Sequence, residues 1–181
     1  MEKESNFLND DLLPPVRSTF LTVLCVLTFI GSAYGLYQGV TSITNAKKMA
    51  NMVSAKNDPQ KQEEQRKKLQ GQNDKGSKFA LKMMDSVKEF TNENKIRQSG
   101  IFAIVANLLT LGGALLMWRL NRTGFYLYVA GIVTWVVSPF VIYGSGVFIA
   151  MLGAAFAFFI GLLFTILYAM NLKDMRKTAV S

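Results

Sequence analysis

The sequence predicts an all-α integral membrane protein: four transmembrane helices in a bundle, with the first and second spans prolonged into an extramembrane helical hairpin. Three observations carry this expectation. Residues 101–170 contain two charged side chains, Arg119 and Arg122, and both sit in one short connection. A further apolar run covers residues 19–40. Each apolar run meets or nearly meets the roughly 20 residues a helix needs to cross a hydrocarbon core about 30 Å thick. In lipid a helix satisfies its own backbone polar groups. Strands of a membrane barrel alternate polar and apolar residues, and these runs do not.

The expected organisation is an N-terminal arm at 1–18, spans at 19–40, 101–118, 125–143 and 147–170, a polar helical hairpin at 41–100 and a basic tail at 171–181. The arm carries Glu2, Glu4, Asp10 and Asp11. Pro14-Pro15 resists helix formation just before the bilayer. The arm reads as a loosely ordered terminus or as a docking segment.

In the first span, Gly31-Ser32-Ala33 resembles a cleavage site for a secretory signal. The apolar run continues past Ala33, so an uncleaved anchor is expected. Gly31, Gly35 and Gly39 recur every fourth residue and share one helix face, where another backbone can approach closely. Gly153, Ala157 and Gly161 form a similar row in the last span. Both rows are candidate faces for packing inside the bundle or for contact with a partner. Cys25 is the single cysteine, so no internal disulfide framework exists.

The polar interval has its own periodicity. Ile43, Ala46, Ala50 and Val53 fall at helical spacing and continue the first helix out of the membrane. Asn57-Asp58-Pro59 reads as a break and restart, with Asp58 as N-cap and Pro59 at the first helical position. Residues 60–70 are charged, with Glu63–Lys67 and Glu64–Lys68 as helical pairs. Residues 71–76 form a turn-rich tip. Phe79, Met83, Val87 and Phe90 make a second apolar stripe, the candidate interaction face of the returning arm. The two stripes can bury against each other, or lie on lipid or a partner. Residues 91–94 interrupt that arm.

Asn107 in the second span needs a polar partner, either across helices or on a ligand. Gly112-Gly113-Ala114 allows another close approach. Trp118, Tyr126 and Tyr128 flank the Arg119–Arg122 connection as an interfacial belt. Pro139 either kinks or ends the third helix. Residues 143–146 form a turn, and Lys173, Arg176 and Lys177 follow the fourth span.

The net charge of +8 lies in the extramembrane segments. Basic residues there orient the protein and meet anionic lipid. No basic-aromatic constellation accompanies them, so nucleic acid is not an expected partner. There are no histidines, and no phosphate loop, dinucleotide fingerprint, zinc motif or nucleophile elbow. No catalytic, metal-binding or cofactor-binding residue is assigned. The apolar runs lack the ionisable residue that a coupled transporter needs within the membrane.

The expected function is that of a non-enzymatic accessory or scaffold subunit of a membrane protein assembly. A transport or channel subunit, homo-oligomeric in one version, is the alternative. The partners are the lipid bilayer and a membrane protein or a second copy. Basic residues near span ends are almost balanced between the two sides, and the Arg119–Arg122 turn places both termini in the cytoplasm. A bacterial inner membrane suits a chain without disulfides.

Overall fold

Ser18 caps the first helix. Its hydroxyl accepts the Leu21 N–H at 3.1 Å, which satisfies one of the orphan donors of a helix N-terminus. The computed structural model describes residues 17–56, 59–72, 74–144, 147–172 and 175. The expectations for the N-terminal arm, the Asp58 cap, the 143–146 turn and the basic tail fall wholly or largely outside these residues. Among the described residues there are seven α-helices: α1 (Thr19–Thr44), α2 (Ala46–Lys56), α3 (Pro59–Gln70), α4 (Lys75–Phe90), α5 (Glu93–Trp118), α6 (Thr123–Tyr143) and α7 (Phe148–Met170).

Four of them, α1, α5, α6 and α7, are long and apolar enough to cross a membrane. The chain is an integral membrane protein. Both α1 and α5 have 26 residues, about 39 Å at 1.5 Å per residue. Each therefore exceeds the hydrocarbon thickness and extends past the apolar run seen in the sequence. The first helix does not continue unbroken into the polar interval. Asn45 leaves helical geometry between α1 and α2. Its N–H still donates to Thr41 O at 2.9 Å, so the chain direction is largely kept. Pro59 opens α3, where its missing N–H costs nothing. Asn92 caps α5 through the Asn94 N–H, and this is the interruption expected at residues 91–94.

α5 lies between α1 and α6, and α7 packs on α6. Glycines set these approaches. A Cβ built at Gly100 would lie 2.7 Å from Gly39 O, so α1 and α5 touch backbone to backbone. A Cβ at Gly113 would lie 2.6 Å from Tyr128 N and 2.7 Å from Gly124 O, so α5 and α6 do the same. Such contacts suit a bilayer, where association rests on van der Waals packing rather than exclusion of water.

The end where α1 begins and α7 ends is tied together. The Arg17 guanidinium donates to Thr22 Oγ1 at 2.8 Å and to Trp118 O at 3.1 Å. It also lies over the Trp118 ring, 3.6 Å from the centroid. One cation thus satisfies an orphan carbonyl at the C-terminus of α5, complements the dipole there and stacks on an aromatic face. Ser18 Oγ donates to Asn171 Oδ1 at 3.0 Å and joins the start of α1 to the end of α7. Leu21, Leu24, Cys25, Met117, Tyr128, Tyr168 and Met175 form the buried cluster at this end.

At the other end α4 docks on the turn region of α6 and α7. Phe79 meets Phe148 edge-on at 5.5 Å, and Phe90 stacks on Tyr143 at 5.3 Å. Ser86 Oγ accepts the Phe148 N–H at 3.1 Å, which supplies an acceptor to the start of α7. α2 leans instead on α5, where Ala46 is fully buried. α3 lies along α4, with Arg66 paired to Asp85 at 3.0 Å.

Asp74 caps α4 by accepting from Gly76 N, at 3.0 Å, and Ser77 N. The Ser77 hydroxyl also donates to it. That hydroxyl, chiefly, with the two backbone donors, holds the Asp74 carboxyl below its ordinary value. A depressed pKa stabilises the fold above the unfolded value and loses that contribution as pH falls through the folded one. The amide shifts of Gly76 and Ser77 are therefore expected to titrate with a midpoint below the usual aspartate range. They should stay flat in Asp74→Asn. A midpoint at or above the usual range would remove this cap from the account.

Candidate functional site

α1 and α7 meet near the termini and part toward the other end. Thr28 Oγ1 and Tyr168 OH share a hydrogen bond of 2.7 Å where the helices meet. Beyond it a cavity of about 550 Å³ opens between α1, α5, α6 and α7. Its wall on α1 runs from Gly31 to Ser42, and on α7 from Ala150 to Ala157. Gly31, Tyr34, Gln38 and Gly153 at its edges are exposed, so it opens sideways between α1 and α7. Phe90 and Tyr143 close the end beneath α4. Tyr143 OH shares a hydrogen bond with Ser99 Oγ at 2.9 Å in that roof.

Two buried polar groups face this space. Asn107 Nδ2 donates to Ala103 O, one turn back on α5, at 2.7 Å. The sequence suggested a bond across helices or a ligand contact; the amide nitrogen instead bonds to its own helix. This bond also fixes the amide orientation, since the reverse would set oxygen against oxygen. Asn107 is 6% exposed, and among the described residues Oδ1 has no hydrogen-bond partner. Among the described residues no fully occluded side-chain oxygen or nitrogen lacks a partner, so Oδ1 retains open surface. Asn107 lines the cavity, and Oδ1 is the acceptor it offers there.

Ser138 is the second. Pro139 lies inside α6 and the helix continues to Tyr143, so the proline does not end it. A proline has no N–H for the carbonyl four residues back, here Trp135 O. The Ser138 hydroxyl donates to that carbonyl at 3.1 Å. Its proton is thus used, and its remaining lone pairs are acceptors at the cavity wall. Among the described residues no Asp, Glu, Lys, Arg or His lines the space.

The small-residue rows distribute over several neighbours. Gly39 packs on Gly100 and Ile104, and Gly35 accommodates the Asn107 carboxamide. Gly161 packs on Ile132 of α6. Gly31 and Gly153 have no atom within 4 Å of a built Cβ, and with Ala157 they line the cavity. On α4, Phe79 and Phe90 meet Phe148 and Tyr143, while Met83 and Val87 are half-buried.

Several residues that shape the region carry no sequence signal of the fourfold kind. Gly124, Gly131 and Ser138 are buried on one face of α6 at sevenfold spacing. That period marks the seam against α5, and it is visible in the sequence once looked for. Tyr168 and Arg17 have no such marker.

Compared with known protein families, curated proteins and solved structures, the chain matches none. The site is therefore interpreted from its own geometry.

Because Gly35 makes room for Asn107, Gly35→Leu is expected to push the carboxamide from its place. The cost should be about 1–3 kcal/mol, the usual range for overpacking. Removing the obstructing group in Gly35→Leu/Asn107→Ala should recover part of it, as neighbours in contact do. Folded protein in a detergent denaturation series measures this, with Leu36→Ile as control. Strict additivity of the two substitutions would show that they do not meet.

Proposed function

We propose that the chain is a non-enzymatic accessory or scaffold subunit of a membrane protein assembly. In this reading α1, α5, α6 and α7 form a four-helix bundle in the bilayer. α3 and α4 form an extramembrane hairpin that engages a partner. The observation that carries it is the mounting of α4 and α3. α4 is fastened at both ends, through Phe79–Phe148 and Phe90–Tyr143. α3 is held to it through Arg66–Asp85 and keeps its charged side chains exposed. A polar helix buries little apolar surface of its own, so its ordering must be sustained by contacts elsewhere. A platform of this kind suits polar contact with another protein. The exposed Phe156 and Phe159 of α7 suit lipid or a second membrane-spanning partner.

A photocrosslinker at Gln65, on the exposed side of α3, tests the reading. Capture of one defined protein or a second copy at native abundance, lost on reversing the charges of Lys67 and Lys68, is the expected result. A monomer without crosslinks after mild extraction would overturn it.

We place the protein in a bacterial inner membrane with both termini in the cytoplasm, because Arg119 and Arg122 share one short turn. Ser77 is buried against Asp74 and is a poor labelling site. Cysteines at Gln65 and Ser181, in a Cys25→Ala background, should react from opposite faces, Gln65 from outside. The reverse pattern would invert the orientation.

A transport or channel subunit is the second reading, and the cavity beside Pro139 favours it. Proteoliposomes that pass none of a panel of ions and small uncharged solutes would remove it.

A further inference from the structure

We propose that the cavity between α1 and α7 is a binding site for an uncharged long-chain amphiphile whose head donates a hydrogen bond, such as a lipid alcohol. This goes beyond the scaffold reading and does not depend on it.

The chemistry of the walls selects the head. Of the two buried polar groups, Ser138 has spent its donor on Trp135 O, and Asn107 has spent one of its two amide N–H donors on Ala103 O. Each still offers an acceptor, and Asn107 keeps one N–H besides. A hydroxyl, which both donates and accepts, complements them, whereas a carboxylate or phosphate leaves the two acceptors unmet. Among the described residues no Asp, Glu, Lys, Arg or His lines the cavity, which points the same way, because a charged head would be desolvated here without a counter-charge. Lys95, the cation nearest the roof, lies over Tyr143 and is paired with Glu89.

The shape selects the tail. About 550 Å³ falls within the range of small-molecule sites. The space spans residues 31–42 of α1, about 17 Å at 1.5 Å per residue. That is close to half a bilayer core, and both ends are shut, by Thr28–Tyr168 on one side and Phe90–Tyr143 on the other. A spanning helix of a partner is too long for it. A single chain entering sideways from the bilayer is not. Gly31, Gly153 and Ala157 leave its path open, and Trp135 and Ile142 supply apolar wall.

Trp135 also supplies the readout. The chain has two tryptophans, and Trp118→Phe leaves Trp135 as the single emitter. The protein in phosphatidylcholine vesicles is titrated with a dibrominated stearyl alcohol, its methyl ether and a dibrominated phosphatidylcholine. Quenching of Trp135 by the alcohol should saturate, at a mole fraction about tenfold below any effect of the phospholipid. The ether, which has no donor, should bind about fivefold more weakly, the equivalent of one hydrogen bond. Asn107→Leu together with Ser138→Ala should abolish that difference. Gly153→Leu and Gly31→Leu fill the space from opposite walls without a backbone clash and should remove saturation while gel-filtration behaviour is kept. Quenching that rises in proportion to mole fraction, equally for all three probes, would show ordinary bilayer contact and overturn the proposal. So would a preference for the phospholipid, or saturation unchanged in both glycine variants.

Discussion

Tyr168→Ala is expected to lower stability by about 3–5 kcal/mol, the cost of removing a large aromatic side chain from a close-packed site. Tyr168 is completely buried. Its ring meets Tyr128 edge-on at 4.9 Å, and its hydroxyl bonds to Thr28 at 2.7 Å. It is one of the buried side chains through which α7 holds α1, beside Asn171, so its loss should also loosen those helices where α1 begins and α7 ends. Spin labels at the exposed positions Phe20 and Met170 should then report a longer and broader distance. Tyr168→Phe isolates the hydroxyl. It should cost about 1 kcal/mol, since a single hydrogen bond between membrane helices contributes modestly. Equal losses for Ala and Phe would place the energy in the hydroxyl rather than the ring, against this account.

The second large effect is expected at Gly113. A single methyl there meets Tyr128 N and Gly124 O, both backbone atoms of α6. Backbone in a helix cannot rotate aside as a side chain can, so the two helices must part along their length. Gly113→Ala should cost about 3 kcal/mol, toward the upper end of the overpacking range. Gly153→Ala is the matched control, because a Cβ there meets nothing within 4 Å. It should leave stability unchanged or raise it slightly, as alanine favours helix. The fraction surviving detergent extraction in folded form, followed against temperature, compares the two. Similar losses in both would mean that helix propensity, not contact, governs these positions.

The contrast between these glycines shows what one-dimensional spacing can carry. Spacing puts Gly31, Gly35 and Gly39 on one face, and Gly153, Ala157 and Gly161 on another. It does not say what stands opposite each residue. Gly39 meets Ile104 and the Gly100 carbonyl of α5 and Gly35 meets the Asn107 carboxamide of α5, while Gly31, beside the gap between α1 and α7, meets open space. The divergence follows from unequal fastening. Ser18 with Asn171, and Thr28 with Tyr168, join α1 and α7 at one end. At the other, α4 docks on α6 and α7 rather than on α1.

The four apolar helices were legible in the sequence, because the bilayer imposes a length and a near absence of charge on any helix that crosses it. Pro59 and the break before Glu93 were legible too, since they act through local backbone geometry. Other features depended on three dimensions. Asp74 as a cap was hidden in a turn-rich stretch. The use of Ser138 to relieve Pro139 needed the observed continuation of α6. By itself the sequence determined an integral membrane protein with four apolar helices and an intervening polar helical region. Only the tertiary structure decided which glycines are contacts, where Asn107 directs its acceptor and that a cavity exists, because each depends on helix crossing and divergence, which residue spacing along one helix does not encode.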